Sequence, residues 1–157
     1  IRIGDLPDSS VIAIRAGTVR RVLFASPEYL DKHGLPQRPE DLAEHRLIQS
    51  LALGTSPEWA FQENGRLFSV PVKPRVRMNT NDAVIELAAK GWGVSQLLSY
   101  QIAPYLADGR LRTVLGAFET PPMPIHVLHQ EGGMVSGKVR AFVDFMVETL
   151  RADPALN

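Results

Sequence analysis

The pattern of apolar and polar residues from Arg77 to Ser99 predicts a strand, a turn, a helix and a second strand. One face of the predicted helix carries apolar or small residues at spacings of three and four: Val84, Leu87, Ala88 and Gly91. The run VSQLL then predicts a short, mostly apolar strand. Strand, helix and strand in this order indicate a parallel α/β sheet, which places binding sites at the carboxyl ends of its strands.

The turn before this helix, Asn79 to Asn81, lies at such a carboxyl end. Its backbone N–H groups and the positive end of the helix dipole favour an anion or a polar oxygen. The same side chains are also typical of helix caps, which need no ligand. The turn is therefore a candidate binding element whose alternative role is structural.

Similar patterns predict the rest of an α/β chain. Strand-like runs occur at residues 1–4, 11–15, 19–25, 46–50 and 125–129. Ser26 followed by Pro27 predicts the start of a helix that ends at Gly34. Asn64 and Gly65 lie between two apolar runs and predict a hairpin turn, because both turn positions need positive φ. The last helix has an apolar stripe that should pack on a sheet: Val139, Phe142, Val143, Met146 and Leu150.

Composition narrows the classes of function. The 157 residues include 17 basic and 17 acidic side chains and no cysteine. Zero formal charge argues against DNA binding by this segment alone, and the lack of cysteine excludes disulfides and thiolate metal sites. No apolar run approaches the roughly 20 residues of a membrane span, and no signal-peptide pattern is present. Because the sequence opens on IRIG without a methionine, we expect it to be a fragment.

The titratable residues form no catalytic pattern. His126 and His129 lie three apart on a predicted strand and point to opposite faces, so they cannot share a metal ion. Asp5 and Asp8 form a carboxylate pair, but Pro7 between them is typical of a hydrogen-bonded turn. Motifs for phosphate, dinucleotide or nucleophilic-serine chemistry do not occur. We therefore expect no catalytic residue, no metal site and no cofactor.

Several stretches, in order, resemble the effector-binding region of LysR-type transcriptional regulators. They are IRIGDLPDSSVIAIRAG, VRRVLFASPEYLDKHGLPQRPEDLAEHRLI, the EWAF hairpin with its NG turn, AVIELAAKGWGVSQLLSYQIAPYLADGRLRTVL and PIHVLHQEGGMVSGKVRAFVDFMVETL. The resemblance implies an α/β, two-lobed fold similar to type 2 periplasmic solute-binding proteins, with the first lobe incomplete. Residues 1–33 and 121–157 would form that partial lobe, regulatory subdomain I, and residues 34–120 would form regulatory subdomain II.

The resemblance also implies an effector site in the cleft between the lobes. Its residues would be Asp5, Leu6, Asp8, Thr18, Ser50, Leu51, Asn79, Thr80, Asn81 and Ile125. The small-molecule effector is expected to be an organic acid, as four arginines hint: Arg15, Arg20, Arg21 and Arg46. Further partners would be other copies of the protein, in a dimer or tetramer. DNA would be contacted only through a winged helix-turn-helix that this sequence lacks, and the protein would be cytoplasmic, without membrane contact.

The function implied is effector sensing for a bacterial regulator, in which the effector shifts the arrangement of the lobes and the geometry of the oligomer. A periplasmic solute-binding protein is an alternative that would share the fold and carry an export signal. A small α/β enzyme is a second alternative, which a bell-shaped pH profile of turnover would support. The fold alone does not choose among these, and the ordered series of stretches favours the regulator.

Overall fold

The computed structural model describes residues 1–5, 11–54, 56–130 and 137–156. The strands in chain order are β1 (Arg2–Ile3), β2 (Val11–Val19), β3 (Arg21–Ala25), β4 (Leu47–Ser50), β5 (Glu58–Glu63), β6 (Arg66–Pro71), β7 (Val76–Met78), β8 (Val94–Leu98), β9 (Arg112–Val114) and β10 (Met123–Gln130). The α-helices are α1 (Pro27–His33), α2 (Asn81–Ala89), α3 (Ser99–Ala107) and α4 (Gly137–Ala152). Short 3-10 turns cover Pro39–Glu44, Leu51–Leu53, Gly116–Phe118 and Pro154–Leu156.

The chain forms two compact units. The smaller comprises Ile1–Val19 and Pro122–Asn157, and the larger comprises Arg20–Pro121. The division predicted from the sequence places residues 20–33 with the first lobe, whereas β3 lies inside the sheet of the larger unit, between β8 and β9. Among the helices that the structure describes, none is long and apolar enough to cross a membrane.

The smaller unit is an antiparallel sheet in the order β1-β10-β2, with α4 packed against it. Ala16, Val127, Val143 and Val147 form its buried core. The sequence pattern predicts a break in β2 at residues 16–18, and this prediction is wrong. Pairing with β10 continues from Val11 to Val19, so the strand ends only before Arg20.

The larger unit is built on a mixed five-stranded sheet in the order β7-β4-β8-β3-β9. Strand β4 is parallel to both β7 and β8, so the predicted strand, helix and parallel strand are confirmed. Helices α2 and α3 cover one face through Val84 and Ile102. On the other face, α1 and the β5–β6 hairpin contribute Tyr29, Trp59 and Phe61 to the core.

The β5–β6 hairpin was predicted from its turn, and the structure confirms it. Glu63 pairs with Arg66, which leaves Asn64 and Gly65 as the turn residues. Both have positive φ, 50° and 78°, as a two-residue hairpin turn requires. The hairpin brings Trp59 over the sheet of the larger unit, where it borders the site described next.

Candidate functional site

A row of polar side chains crosses one face of the larger sheet near the carboxyl ends of β4 and β8. Leu47 pairs with Val94, so Gln49 and Gln96, each two residues further on, lie side by side on the same face. Arg77 of β7 pairs with Gln49 and extends the row on the other side. We call Arg21, Gln49, Gln96 and Arg77 the polar row.

Arg21 joins the polar row from the antiparallel strand β3. Leu23 pairs with Gln96 and Arg21 pairs with Leu98, so Arg21 is the diagonal neighbour of Gln96 on the same face. Such neighbours lie about 7–8 Å apart, within reach of a long side chain. Arg21 is the second residue of the larger unit, so the polar row lies at the end where the chain enters that unit.

Gln49 is held at both ends of its amide. Arg77 Nε donates a hydrogen bond of 3.1 Å to Gln49 Oε1, and Gln49 Nε2 donates one of 2.9 Å to the carbonyl oxygen of Ser56. Ser56 in turn accepts the backbone N–H of Glu58 through its hydroxyl, at 3.2 Å. These bonds orient the Gln49 amide and attach the loop before β5 to the sheet.

Gln96 differs from Gln49 because its amide has no partner among the described residues. The residue is only 6% exposed, and its side chain faces a small pocket. Among the described residues, the fully buried side-chain atoms without a partner are Arg46 Nε and His126 Nδ1, so the Gln96 amide is open to the pocket. The unpaired amide of Gln96 therefore indicates a binding position for a hydrogen-bonding ligand.

The pocket lies wholly in the larger unit and measures about 40 Å³. Its lining residues are Arg21, Gln49, Ser50, Gly54, Ser56, Glu58, Trp59 and Gln96. A volume of this size holds roughly three water-sized molecules. The pocket can therefore take a small polar group.

Two residues expected at the site are brought together by the fold. Ser50 Oγ donates a hydrogen bond of 2.5 Å to Asn81 Oδ1 and also accepts the backbone N–H of Ala52 at 3.2 Å. Thr80 is the N-cap of α2, and its hydroxyl accepts the backbone N–H of Ala83 at 3.4 Å. Ser50 thus ties the end of β4 to the start of α2, while Thr80 has the capping role that was the structural alternative.

The other expected site residues lie apart from the pocket lining. In the larger unit, Leu51 and Asn79 are exposed beside the residues just described. In the smaller unit, Asp5 is exposed, Thr18 pairs with Pro124, and Ile125 is buried. Leu6 and Asp8 lie outside the described residues. Within the described ranges, no group of His, Asp or Glu is placed to hold a metal ion.

Three residues of the polar row, Gln49, Gln96 and Arg77, are not among the residues expected from the sequence. A signal was present, because RLIQS and VSQLL each place one glutamine inside an otherwise apolar strand. A long polar side chain in a fully buried strand needs a partner or a ligand. Only the register of β4 and β8 shows that the two glutamines are neighbours.

A second polar cluster lies at the opposite end of β4. The hydroxyl of Tyr29 accepts the backbone N–H of Arg46 at 3.0 Å and lies 3.1 Å from Nδ1 of His45. Burial lowers the pKa of His45 below its usual value, and the nearby His33 adds to the effect. This cluster joins α1 to the sheet and does not border the pocket.

Comparison with known proteins identifies the family. The sequence pattern of the LysR substrate binding domain matches residues 1–151. The chain is 32% identical to an HTH-type transcriptional regulator of Xanthomonas campestris pv. campestris (strain 8004), over 98% of this chain and 46% of the relative. It is 33% identical to the HTH-type transcriptional regulator PtxR of Pseudomonas aeruginosa, over 98% of this chain and 49% of that protein.

The structure is similar to that of the regulatory domain of AphB in Vibrio vulnificus, with a TM-score of 0.80 and 30% identity over 94% of this chain and 73% of that one. The chain therefore belongs to the LysR substrate-binding domain family. It has the α/β, periplasmic-binding-protein-like fold of LysR-type regulatory domains, and both predictions are confirmed. The chain spans about half the length of the curated relatives it matches, and these relatives are transcriptional regulators.

Proposed function

We propose that this chain senses a small-molecule effector for a LysR-type transcriptional regulator, and that the pocket of the larger unit is part of the effector site. The unpaired amide of Gln96 carries the proposal. It opens into a pocket near the carboxyl ends of parallel strands, where α/β sheets bind ligands. A ligand that pairs with this amide would replace the water that the open pocket admits to it.

In this proposal the smaller unit corresponds to regulatory subdomain I and the larger unit to regulatory subdomain II. The proposed effector contacts outside the polar row are Asp5, Thr18, Ser50, Leu51, Asn79, Thr80, Asn81 and Ile125. The link between Ser50 and Asn81 supports this set for the larger unit, since it orients two of its loops next to the pocket.

The effector acts by binding one conformation of the regulator more tightly than another, and it can shift their equilibrium only by that difference in affinity. In the whole regulator, the shift changes the geometry of a dimer or tetramer and the spacing of its DNA-binding parts. The relatives are named HTH-type regulators, which supports DNA contact through a helix-turn-helix. A non-catalytic role in the cytoplasm follows from the same proposal.

The two tryptophans of the chain provide a matched test of the site. Trp59 lines the pocket. Trp92 lies at the other end of β4, where the guanidinium carbon of Arg46 is 5.5 Å from the centre of the Trp92 ring. The intact regulator is screened for metabolites that change its affinity for DNA, and the active compound is titrated while tryptophan fluorescence is recorded.

We expect Trp59→Phe to remove most of the fluorescence change that the compound produces, and Trp92→Phe to retain it. Calorimetry on both variants gives the affinity and shows whether each protein still binds. A fluorescence change that survives Trp59→Phe and disappears in Trp92→Phe would place the effector elsewhere and contradict the proposal.

A further inference from the structure

We propose that the pocket is a subsite for the carboxylate of an organic-acid effector, held by the guanidinium of Arg21 and the amide N–H₂ of Gln96. This inference rests on the proposed function of the pocket and names the chemical class of its ligand.

The structure distinguishes Arg21 from the other three arginines that hint at an acidic ligand. Arg20 is paired with Glu119 at 2.7 Å, and Arg46 is stacked between Tyr29 and Trp92. Arg15 belongs to the smaller unit and does not line this pocket. Arg21 alone of the four lines it, and it has no ion-pair partner among the described residues.

The alternation of side chains along β3 explains why neighbouring arginines differ. Arg21 lies on the face of Leu23 and Gln96, and Arg20, just before the strand, turns to Glu119. Arg21 is half-buried, so its charge acts in a medium of lower effective dielectric than water. A half-buried cation next to an unpaired amide is a site for a negatively charged, hydrogen-bonding group.

Gln49 forms part of the wall of this subsite, and two neighbours orient its amide. Its amide oxygen is occupied by Arg77 and its amide nitrogen by the carbonyl of Ser56. The side-chain donors of Arg21 and Gln96 have no hydrogen-bond partner among the described residues. Both can point to the two oxygens of one carboxylate, which accepts hydrogen bonds only.

Glu58 is the acidic residue of the pocket lining and would favour a cationic ligand instead. It is an exposed residue at the first position of β5, whereas Arg21 is half-buried within the sheet. Exposed charges are screened by water and salt more strongly than buried ones. The balance in the pocket therefore favours an anion.

The size of the pocket indicates which part of the ligand it holds. Its volume of about 40 Å³ is sufficient for a carboxylate group. A free inorganic anion such as sulfate shares the same chemistry. The experiment must therefore separate a carboxylate from sulfate as well as from a neutral group.

The test uses the intact regulator and matched probes at constant ionic strength: acetate, propionate and succinate, their amides, and sulfate. Thermal unfolding is followed with each probe, and apparent dissociation constants are taken from its concentration dependence. We expect carboxylates to raise the unfolding temperature more than their amides and more than sulfate. Equal effects of acid and amide would overturn the proposal, and stronger binding of sulfate would make the subsite one for an inorganic anion.

Variants then assign the binding to the two residues. Arg21→Gln should weaken carboxylate binding by roughly 10- to 100-fold, the range for losing a charge-assisted hydrogen bond. Arg20→Gln, at the residue just before β3, is the matched control and should leave the dissociation constant unchanged. Gln96→Met, similar in volume, should also weaken binding while leaving the unfolding temperature of the free protein unchanged, which a purely structural role of Gln96 would not do.

The outcome separates this inference from the proposed function. If Trp59 reports the effector but Arg21→Gln and Gln96→Met leave its affinity unchanged, the pocket holds the effector and the carboxylate inference is wrong. If the effector signal does not depend on Trp59, the proposed function of the pocket fails first.

Discussion

The hydrogen bond between Ser50 and Asn81 connects the two loops of the candidate site, and a double-mutant cycle can measure it. Ser50 is buried, and its hydroxyl makes two hydrogen bonds, one to Asn81 Oδ1 and one from the N–H of Ala52. Each such bond contributes about 0.5–1.5 kcal/mol. Ser50→Ala should therefore lower the free energy of unfolding by about 1–3 kcal/mol.

Asn81→Ala removes only one of these two bonds and should have the smaller effect, about 1 kcal/mol. The double variant should be less destabilised than the sum of the two single variants, because the shared bond can be lost only once. The difference, the coupling energy, is expected to be about 1 kcal/mol, well above the ~0.3–0.5 kcal/mol within which independent sites add.

Urea unfolding of the two single variants and the double variant, followed by circular dichroism, gives these free energies. Ser50→Ala combined with Tyr105→Phe is the control pair. Tyr105 donates its hydroxyl to Glu86 at 2.9 Å and shares no partner with Ser50, so their effects should add. Additivity of Ser50→Ala and Asn81→Ala, within the error set by that control, would refute the inference that this bond joins the two loops.

Three further predictions test other parts of the structure. A Cβ at Gly93 would overlap the carbonyl oxygen of Arg46, so Gly93→Ala should lower the free energy of unfolding by about 1–3 kcal/mol and the unfolding temperature with it, as a thermal scan would show. Gly137 lies in open space, so the control Gly137→Ala should be neutral or stabilising. Burial lowers the pKa of His45 from 6.5, so the unfolded chain takes up the proton first and stability should fall as pH drops below that value. Urea titrations at neutral and mildly acidic pH should show that the free energy of unfolding falls less with pH in His45→Gln than in the parent. An equal fall in both proteins would contradict the prediction. Phe142 is 63% exposed on α4, so this chain should self-associate, and Phe142→Ser should reduce the mass measured by light scattering. A monomeric parent would contradict this prediction.

The central unit of the fold could be predicted because its signals are local. The helix face that includes Val84 and Ala88 is buried on the sheet, as its spacing predicts. The turn at Asn64 and Gly65 needs a backbone conformation that few residues adopt, so its identity is visible in two letters of sequence. Both features depend on neighbouring residues along the chain and on nothing distant.

The polar row could not be predicted in the same way because it depends on register. Gln49 and Gln96 come from different strands, and a shift of one residue in either would turn its side chain to the other face. The stripe of α4 shows a similar limit. Val143 is buried, as predicted, but Phe142 is exposed. Periodicity predicts which face of a helix is apolar, but not how much of that face is covered.

The two-ended attachment of Gln49 makes this position informative about other members of the family. A glutamate here would keep the bond from Arg77 but would set a carboxylate against the carbonyl of Ser56, and the loop would detach. Substitution at position 49 should therefore be tolerated only together with changes in the loop that begins at Gly54. An alignment of regulators that respond to different compounds should show these positions changing as a set, so that Gln49 serves as a marker for sorting them by the shape of their pocket.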